Sequence, residues 1–374
     1  MIPFSKTQNQ KSDITEIKRA LKNAKLEGGG QFSLKVNHKL NKLGYKNNLL
    51  TTSCTSALEM SAILLDLKKG DEIIMPSYTF VSTANAFLLR GCIPIFVDVQ
   101  ESDLNINTLA IEDAITSKTK AIVVVHYGGV SCDMDKILDI AKKNNLYVIE
   151  DAAQCINAFY KSSPLGTLGS FGALSFHNTK NISAGEGGSL IVNDSKFLKR
   201  ALIVHEKGTN RHDFKSGKIS KYEWRDIGGS FILSDLSCAL LYSQLSHLNR
   251  ITKSRLKIWN DYNEFCVNHH RFKNIFDIQL IPNYAKHNAH LFYLKFKSKK
   301  LAKEFSSAME KYGIQTASHY VALHSSKFGK AKAKYTGSMK NTNRASNCLV
   351  RLPLWEGLDS SQVINAMSKT LKKI

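Results

Sequence analysis

The chain has 374 residues, 43% of them hydrophobic, and a formal net charge of +21. That length and apolar fraction suit a large folded core with room for two domains, and they exclude a disordered chain. No apolar run reaches the length of a membrane span, and Met1-Ile-Pro-Phe-Ser-Lys6 lacks the apolar core of a signal peptide, so a cytoplasmic location without membrane insertion is expected.

Two N-terminal helical segments flank the triplet Gly28-Gly-Gly30, which reads as a loop. Leu49-Leu-Thr-Thr52 leads into Thr55–Leu65, a helix with a hydroxyl-rich start. Asp71–Met75 is a short strand stopped by Pro76, followed by a helix through Thr83 to Leu89. Then come the apolar runs Ile93–Asp98, Ala121–Val125, Leu146–Ile149, Gly172–Phe176 and Ser189–Val192. They are continuous and β-branched, as strands buried on both faces are, and helical patterns separate them. The expected fold class is α/β, with a mostly parallel central sheet in a large domain. From Ser234 to about Tyr262 the spacing predicts one long helix. Leu291–Phe296, a helix at Ala302–Tyr312 and a closing helix at Ser361–Lys372 then predict a smaller C-terminal α/β domain. The boundary is expected at residue 245, giving domains 1–245 and 246–374.

Seven cysteines form no CxxC pair, so no metal site is expected and reduced thiols are. The positive charge has two readings: a nucleic-acid surface, or a lysine-rich exterior that favours solubility and anionic small substrates. The lysines are spread along the chain, with a local excess only at Lys327–Lys334, and no helix-turn-helix, zinc-finger or RNA-binding signature accompanies them. The second reading is preferred, and no nucleic-acid partner is expected.

The chemistry concentrates at strand ends, where open α/β sheets bind ligands. Asp151 ends the run Leu146–Asp151, and Gln154 follows three residues later. Lys180 closes Ser175-Phe-His-Asn-Thr-Lys180, just before the turn Ala184-Gly-Glu-Gly-Gly188. A lysine and an acid on neighbouring strand ends are what pyridoxal phosphate (PLP) requires. The amine bonds to the cofactor aldehyde, and the carboxylate keeps the pyridine nitrogen protonated so that the ring acts as an electron sink. Thr55 and Ser56, at a helix start, offer backbone N–H groups and a helix dipole to a phosphate. Phe80 follows a strand end, where an aromatic side chain stacks on a flat ring. Singly, each has an ordinary reading: a hydroxyl or carboxylate cap, a surface amide, a solvated lysine, a core phenyl ring. The set in this order carries the cofactor reading. His177 receives no catalytic step.

Met75–Asn85, Val148-Ile-Glu-Asp-Ala-Ala-Gln154 and Ser175–Asn181 with Gly185-Glu-Gly-Gly188 resemble the DegT/StrS sugar-nucleotide aminotransferases, a branch of the fold-type I PLP enzymes. Pro76–Asn85, Glu206–Arg211, Tyr222–Gly228, His319-Tyr320 with Leu323-His324, and Arg351-Leu-Pro-Leu354 look closest to members that make dTDP-4-amino-4,6-dideoxygalactose. The resemblance implies that Lys180 is the Schiff-base lysine and that Asp151 partners the ring nitrogen. It implies that Gln154 approaches the ring oxygen, that Thr55, Ser56 and Ser175 hold the phosphate, and that Phe80 stacks on the ring. It implies L-glutamate as amino donor, a dTDP-linked 4-keto-6-deoxyhexose as acceptor, and a homodimer with shared active sites. Gly29, His319, Tyr320 and His324 are candidate substrate contacts, with a flexible turn and structural histidines as the plain alternatives. Ser230 and Ile232 stand where many members place polar residues that reach the partner's site. Asn178 stands for a glutamate, Ala322 for a proline and His205 for an arginine. Family members with dehydratase chemistry replace the lysine with histidine, so Lys180 favours amino transfer.

Overall fold

A computed structural model describes every residue except Gln8, Ala24, His270 and Arg271. Its strands are β1 (Asn48–Thr51), β2 (Glu72–Pro76), β3 (Ile93–Val97), β4 (Thr119–Val125), β5 (Tyr147–Ala152), β6 (Phe159–Tyr160) and β7 (Ser163–Pro164), then β8 (Phe171–Ser175), β9 (Gly188–Val192), β10 (Phe276–Ile278), β11 (Ala285–Lys286), β12 (Tyr293–Phe296), β13 (Lys334–Tyr335) and β14 (Leu349–Arg351). The central sheet has the order β1-β9-β8-β5-β4-β2-β3-β13. All neighbours in it are parallel except those on either side of β9. It is the mostly parallel α/β sheet expected from the apolar runs.

Side-chain alternation explains why those runs are continuous. Ile74, Ile122, Val124 and Val148 enter one buried cluster, with Phe32, Val36 and Leu40 from α2 (Gln31–Lys42). Their chain neighbours Ile73, Met75, Val123 and Ile149 enter another, with Leu58 and Ile63 from α3 (Cys54–Leu64) and Phe87 from α4 (Val81–Leu88). Successive residues of a strand point to opposite faces, so a sheet covered on both sides needs apolar residues at every position.

The long C-terminal helix expected from Ser234 is two helices, Asp235–Ser246 and Leu248–Asn268. His247 separates them, with its N–H on the Gln244 carbonyl and its ring Nε2 within 3.0 Å of Ser12 Oγ. The apolar spacing runs on through this break, so periodicity alone does not reveal it. Beyond it, Ile258, Tyr262, Phe276, Leu294, Phe296, Phe305, Val350 and Met367 form a third cluster around the antiparallel sheet β10-β12-β14. This separate core supports a small domain, and we propose its start at about residue 246.

Candidate active site

Strand register assembles the site. Thr51 of β1 lies opposite Gly188 of β9, and Gly188 lies opposite Ser175 of β8. Ala173, two residues earlier in β8, pairs with Asp151 of β5. The C-terminal ends of β1, β8 and β5 therefore converge on one edge. After β8 the chain turns: Phe176 N–H donates to the Gly187 carbonyl at 2.8 Å, Ala184 N–H to Phe176 at 2.8 Å, and Lys180 N–H to His177 at 2.9 Å. That closed loop suspends Lys180 beyond the sheet.

After β1, Ser53 caps α3, its hydroxyl accepting the Ser56 N–H at 3.0 Å. First-turn amides have no intrahelical acceptor, so the Cys54 and Thr55 N–H groups stay open at the positive end of the helix dipole. Gly188 permits this approach, because a Cβ there would lie 2.4 Å from the Cys54 nitrogen.

These elements open into a cleft of about 690 Å³ lined by Ser53, Thr55, Phe80, Thr83, Asp151, Gln154, Ser175, Lys180, His319, Tyr320 and Arg351, among others. Buried Asp151 accepts the Thr83 hydroxyl at 2.7 Å and the Ala153 N–H at 3.2 Å. Burial raises its pKa, against those two bonds and the nearby Lys180 charge. Gln154 is held at both ends, accepting the Gly128 N–H at 2.7 Å and donating to Tyr320 Oη at 2.8 Å. Tyr320 stacks on His319 with ring centroids 3.7 Å apart, and His319 Nδ1 lies 2.6 Å from Tyr127 Oη. Phe80 is 57% exposed at the cleft, with its ring 6.4 Å from that of Tyr320.

Four cations line the cleft without an ion-pair partner among the described residues: Lys6, Lys180, Arg351 and Arg255, the last donating to the Ala289 and His290 carbonyls. Burial lowers the pKa of Lys180, partly opposed by Cys54 and Asp151. Burial likewise lowers that of Arg351, whose Nε and Nη2 both donate to the Ser318 carbonyl.

Three sequence expectations change. Ser56 is not among the lining residues; its N–H is taken by Ser53 and its hydroxyl lies within 3.0 Å of both Thr52 and Ser53 hydroxyls, so Ser53 joins Thr55 at the cleft instead. His324 is also outside: its Nδ1 and N–H both meet Ser77 Oγ, at 2.8 and 3.0 Å, which pins its loop to the end of β2. Gly29 lines no part of the cleft. The glycine triplet serves close packing, since a Cβ on Gly28 would lie 1.9 Å from Ile232 and one on Gly30 2.6 Å from Asp235. Ile232 itself bridges to Thr51 and Ser230 to Glu206, both within the chain. Thr83 escaped notice as a carboxylate partner, although it lies within the Met75–Asn85 run. Phe4–Thr7 also line the cleft, and no periodicity marks them.

His319 sets an acid limit on stability. Burial, with Arg351 and Lys180 adding, holds its pKa well below the usual histidine value. Below about pH 6.5 the unfolded chain binds a proton at this position that the folded chain refuses. The stabilisation is complete above that pH and is lost as pH falls, at about 1.4 kcal/mol per pH unit while the shift is fully expressed. The stability advantage of wild type over His319→Gln should therefore shrink between pH 7 and 5 in chemical denaturation. A gap independent of pH would mean that His319 charges freely in the fold.

A model of the DegT/DnrJ/EryC1/StrS aminotransferase family matches residues 7–370. The spore coat polysaccharide biosynthesis protein SpsC of Bacillus subtilis is 30% identical over 388 residues, covering 99% of this chain and 97% of its own. PseC of Helicobacter pylori, an aminotransferase involved in the biosynthesis of pseudoaminic acid, superposes with a TM-score of 0.89 at 25% identity, over 100% of both chains. The aminotransferase TlmJ of Streptoalloteichus hindustanus has the same fold, with a TM-score of 0.89 at 23% identity, over 100% of this chain and 98% of its own. The fold and cleft are those of a PLP-dependent aminotransferase. The chain belongs to the DegT/DnrJ/EryC1/StrS aminotransferase family, whose members are sugar aminotransferases.

The residues of the cleft fit the cofactor. The open amides of α3, with Thr55 and Ser175, suit a phosphate. Phe80 offers a ring face. Buried Asp151 suits a protonated ring nitrogen, and the unpaired Lys180 amine suits an aldehyde.

Proposed function

We propose that the enzyme transfers the amino group of L-glutamate to C4 of a dTDP-linked 4-keto-6-deoxyhexose, yielding 2-oxoglutarate and dTDP-4-amino-4,6-dideoxygalactose. The observation that carries amino transfer is the Lys180 amine, unpaired and lowered in pKa, in one cleft with the buried Asp151 carboxylate. Bound PLP supplies an electron sink for the carbanion formed at the donor Cα. Lys180 Nζ would hold the cofactor through its aldehyde in the resting enzyme. The freed amine then takes the proton from the glutamate Cα, and in the return half-reaction it delivers a proton to C4 of the sugar. An amine whose pKa lies below the usual lysine value suits both roles. Asp151 would keep the ring nitrogen charged, and Thr83 and Ala153 hold the carboxylate in place. Gln154 would meet the ring oxygen, Phe80 would cover one ring face, and Thr55 and Ser175 would bind the phosphate. His319 and Tyr320, fixed by Tyr127 and Gln154, form the wall that meets the sugar.

The choice of sugar rests on the runs Tyr222–Gly228, His319-Tyr320 and Arg351–Leu354 and on their likeness to enzymes making the galacto product. That product serves enterobacterial common antigen, and related amino sugars serve O-antigen and lipopolysaccharide, all built from cytoplasmic nucleotide sugars. No helix among the described residues is long and apolar enough to cross a membrane. The alternative is another keto-sugar nucleotide, UDP-linked, 3-keto or giving a gluco product; PseC, of the same fold, serves the biosynthesis of a different sugar, pseudoaminic acid. We also infer a homodimer with shared active sites, supported by the exposed Val81, Phe214, Tyr222, Trp224 and Ile227, with Trp224 82% exposed.

The test is incubation with PLP, L-glutamate and dTDP-4-keto-6-deoxyglucose, with the product configuration read by NMR. An axial C4 amine is expected. Failure on this sugar, beside efficient amination of a UDP-linked or 3-keto sugar, would overturn the substrate and leave amino transfer standing.

A further inference from the structure

The first seven residues are tied down at both ends, and the last four of them line the cleft. Ile2 N–H donates to the Gly313 carbonyl at 2.7 Å, and the Ile2 carbonyl accepts Gln315 N–H at 3.0 Å. The Pro3 carbonyl accepts Trp355 Nε1–H at 3.1 Å, and Phe4 N–H donates to Gln315 Oε1 at 3.2 Å. At the far end Thr7 Oγ1 donates to Asn178 Oδ1 at 3.0 Å, two residues before Lys180. The segment thus joins the C-terminal part of the chain to the lysine turn, and Phe4, Ser5, Lys6 and Thr7 all line the cleft.

Two cations sit on this strap at different depths. The Arg351 guanidinium lies 4.7 Å from the centre of the Phe4 ring and is half-buried, while Lys6 is exposed with its Nζ 5.2 Å from the centre of the Trp355 ring. Neither forms an ion pair among the described residues. Cation–π contact orients an ammonium without neutralising it, so Lys6 stays free to meet an anion.

We propose that Phe4–Thr7 form a substrate-selecting strap in which Lys6, oriented by Trp355, takes the diphosphate of the nucleotide sugar. This rests on the nucleotide-sugar reading above. The reacting carbon must reach Lys180, so the diphosphate, beyond the far side of the hexose ring, lies toward the mouth, where Lys6 stands. Glutamate carries no charge that far out; its carboxylates would meet the inner cation, Arg351, which lies against the Phe4 ring and whose charge acts on Lys180. The strap therefore discriminates by depth of charge.

Lys6→Ala and Lys6→Arg in the PLP-loaded enzyme test it, with dTDP alone as the binding probe in calorimetry and steady-state kinetics as the second readout. For Lys6→Ala the affinity for dTDP and the KM for the sugar nucleotide should weaken about ten-fold, the scale of one charge-assisted contact to phosphate. The loss should fall on KM rather than kcat, and arginine should restore most of it. The salt dependence of dTDP binding should also flatten in the alanine variant. Unchanged dTDP affinity, or an equal rise in KM for glutamate and for the sugar nucleotide, would overturn the proposal. If wild type aminates no nucleotide sugar, the functional reading falls, while the dTDP measurement still decides whether Lys6 binds a diphosphate.

Discussion

Replacing Lys180 with alanine is expected to abolish amino transfer and leave a folded protein. The side chain contributes little to the fold, because its ammonium makes no hydrogen bond or ion pair among the described residues and burial already disfavours its charge. The attraction between Lys180 and Asp151 is outweighed by the desolvation of the buried ammonium, so the thermal midpoint of the cofactor-free variant should not fall below that of wild type. Catalysis loses two things together. A single positioned acid–base group contributes roughly 10²- to 10⁴-fold, and the covalent anchor disappears with it, so turnover should drop below detection. Borohydride reduction followed by peptide mass spectrometry gives an independent readout. The Lys180 peptide of wild type should carry the cofactor mass, and no peptide of the variant should. Measurable turnover by the variant, or a cofactor fixed to another lysine, would remove Lys180 from its role.

Much of the fold was legible because a sheet covered on both faces writes itself as continuous β-branched runs. Val123 and Val124 enter opposite clusters, and neither position tolerates a polar side chain. That Lys180 and Asp151 share one cleft was legible for a related reason. Strand ends are the one place where a buried-strand pattern meets polar chemistry, and the parallel pairing of β5 with β8 brings their two ends together. His324 was misread because its partner Ser77 lies 247 positions away in the sequence, and local spacing carries no trace of such a bond. The glycine triplet was misread similarly: what demands small residues there is Ile232 and Asp235 pressing from another part of the chain. Ser56 looked equivalent to Thr55 because the true cap, Ser53, lies one position before the helix begins, and a run of hydroxyls does not say which one turns inward. The strap Phe4–Thr7 has neither helix nor strand period; Gln315, Trp355 and Asn178 hold it in place.

Asp151→Asn should separate a catalytic carboxylate from one that merely organises a turn. As a turn former, Asp151 accepts from Ala153 N–H at 3.2 Å and from the Thr83 hydroxyl at 2.7 Å. An asparagine oxygen can keep one of these bonds, and the Thr83 hydroxyl can rotate to accept from the amide while Thr79 Oγ1, 2.8 Å away, takes up the other side. The fold is therefore expected to survive with a modest loss. Charge is what the substitution removes. A buried carboxylate stays ionised only against a strong partner, and burial pushes Asp151 toward its neutral form. A protonated ring nitrogen is such a partner, and with a neutral amide opposite it that nitrogen loses its proton and much of its capacity to take up electrons. Fixed charge in a dry site contributes about 3–4 kcal/mol to a transition state, which corresponds to roughly 10²- to 10³-fold in rate. The loss should appear in kcat for the glutamate half-reaction measured in single turnover, with the thermal midpoint nearly unchanged. A variant that keeps near-normal turnover would show that the carboxylate serves the turn alone. One that loses stability and activity in proportion would show that its catalytic deficit is a folding deficit.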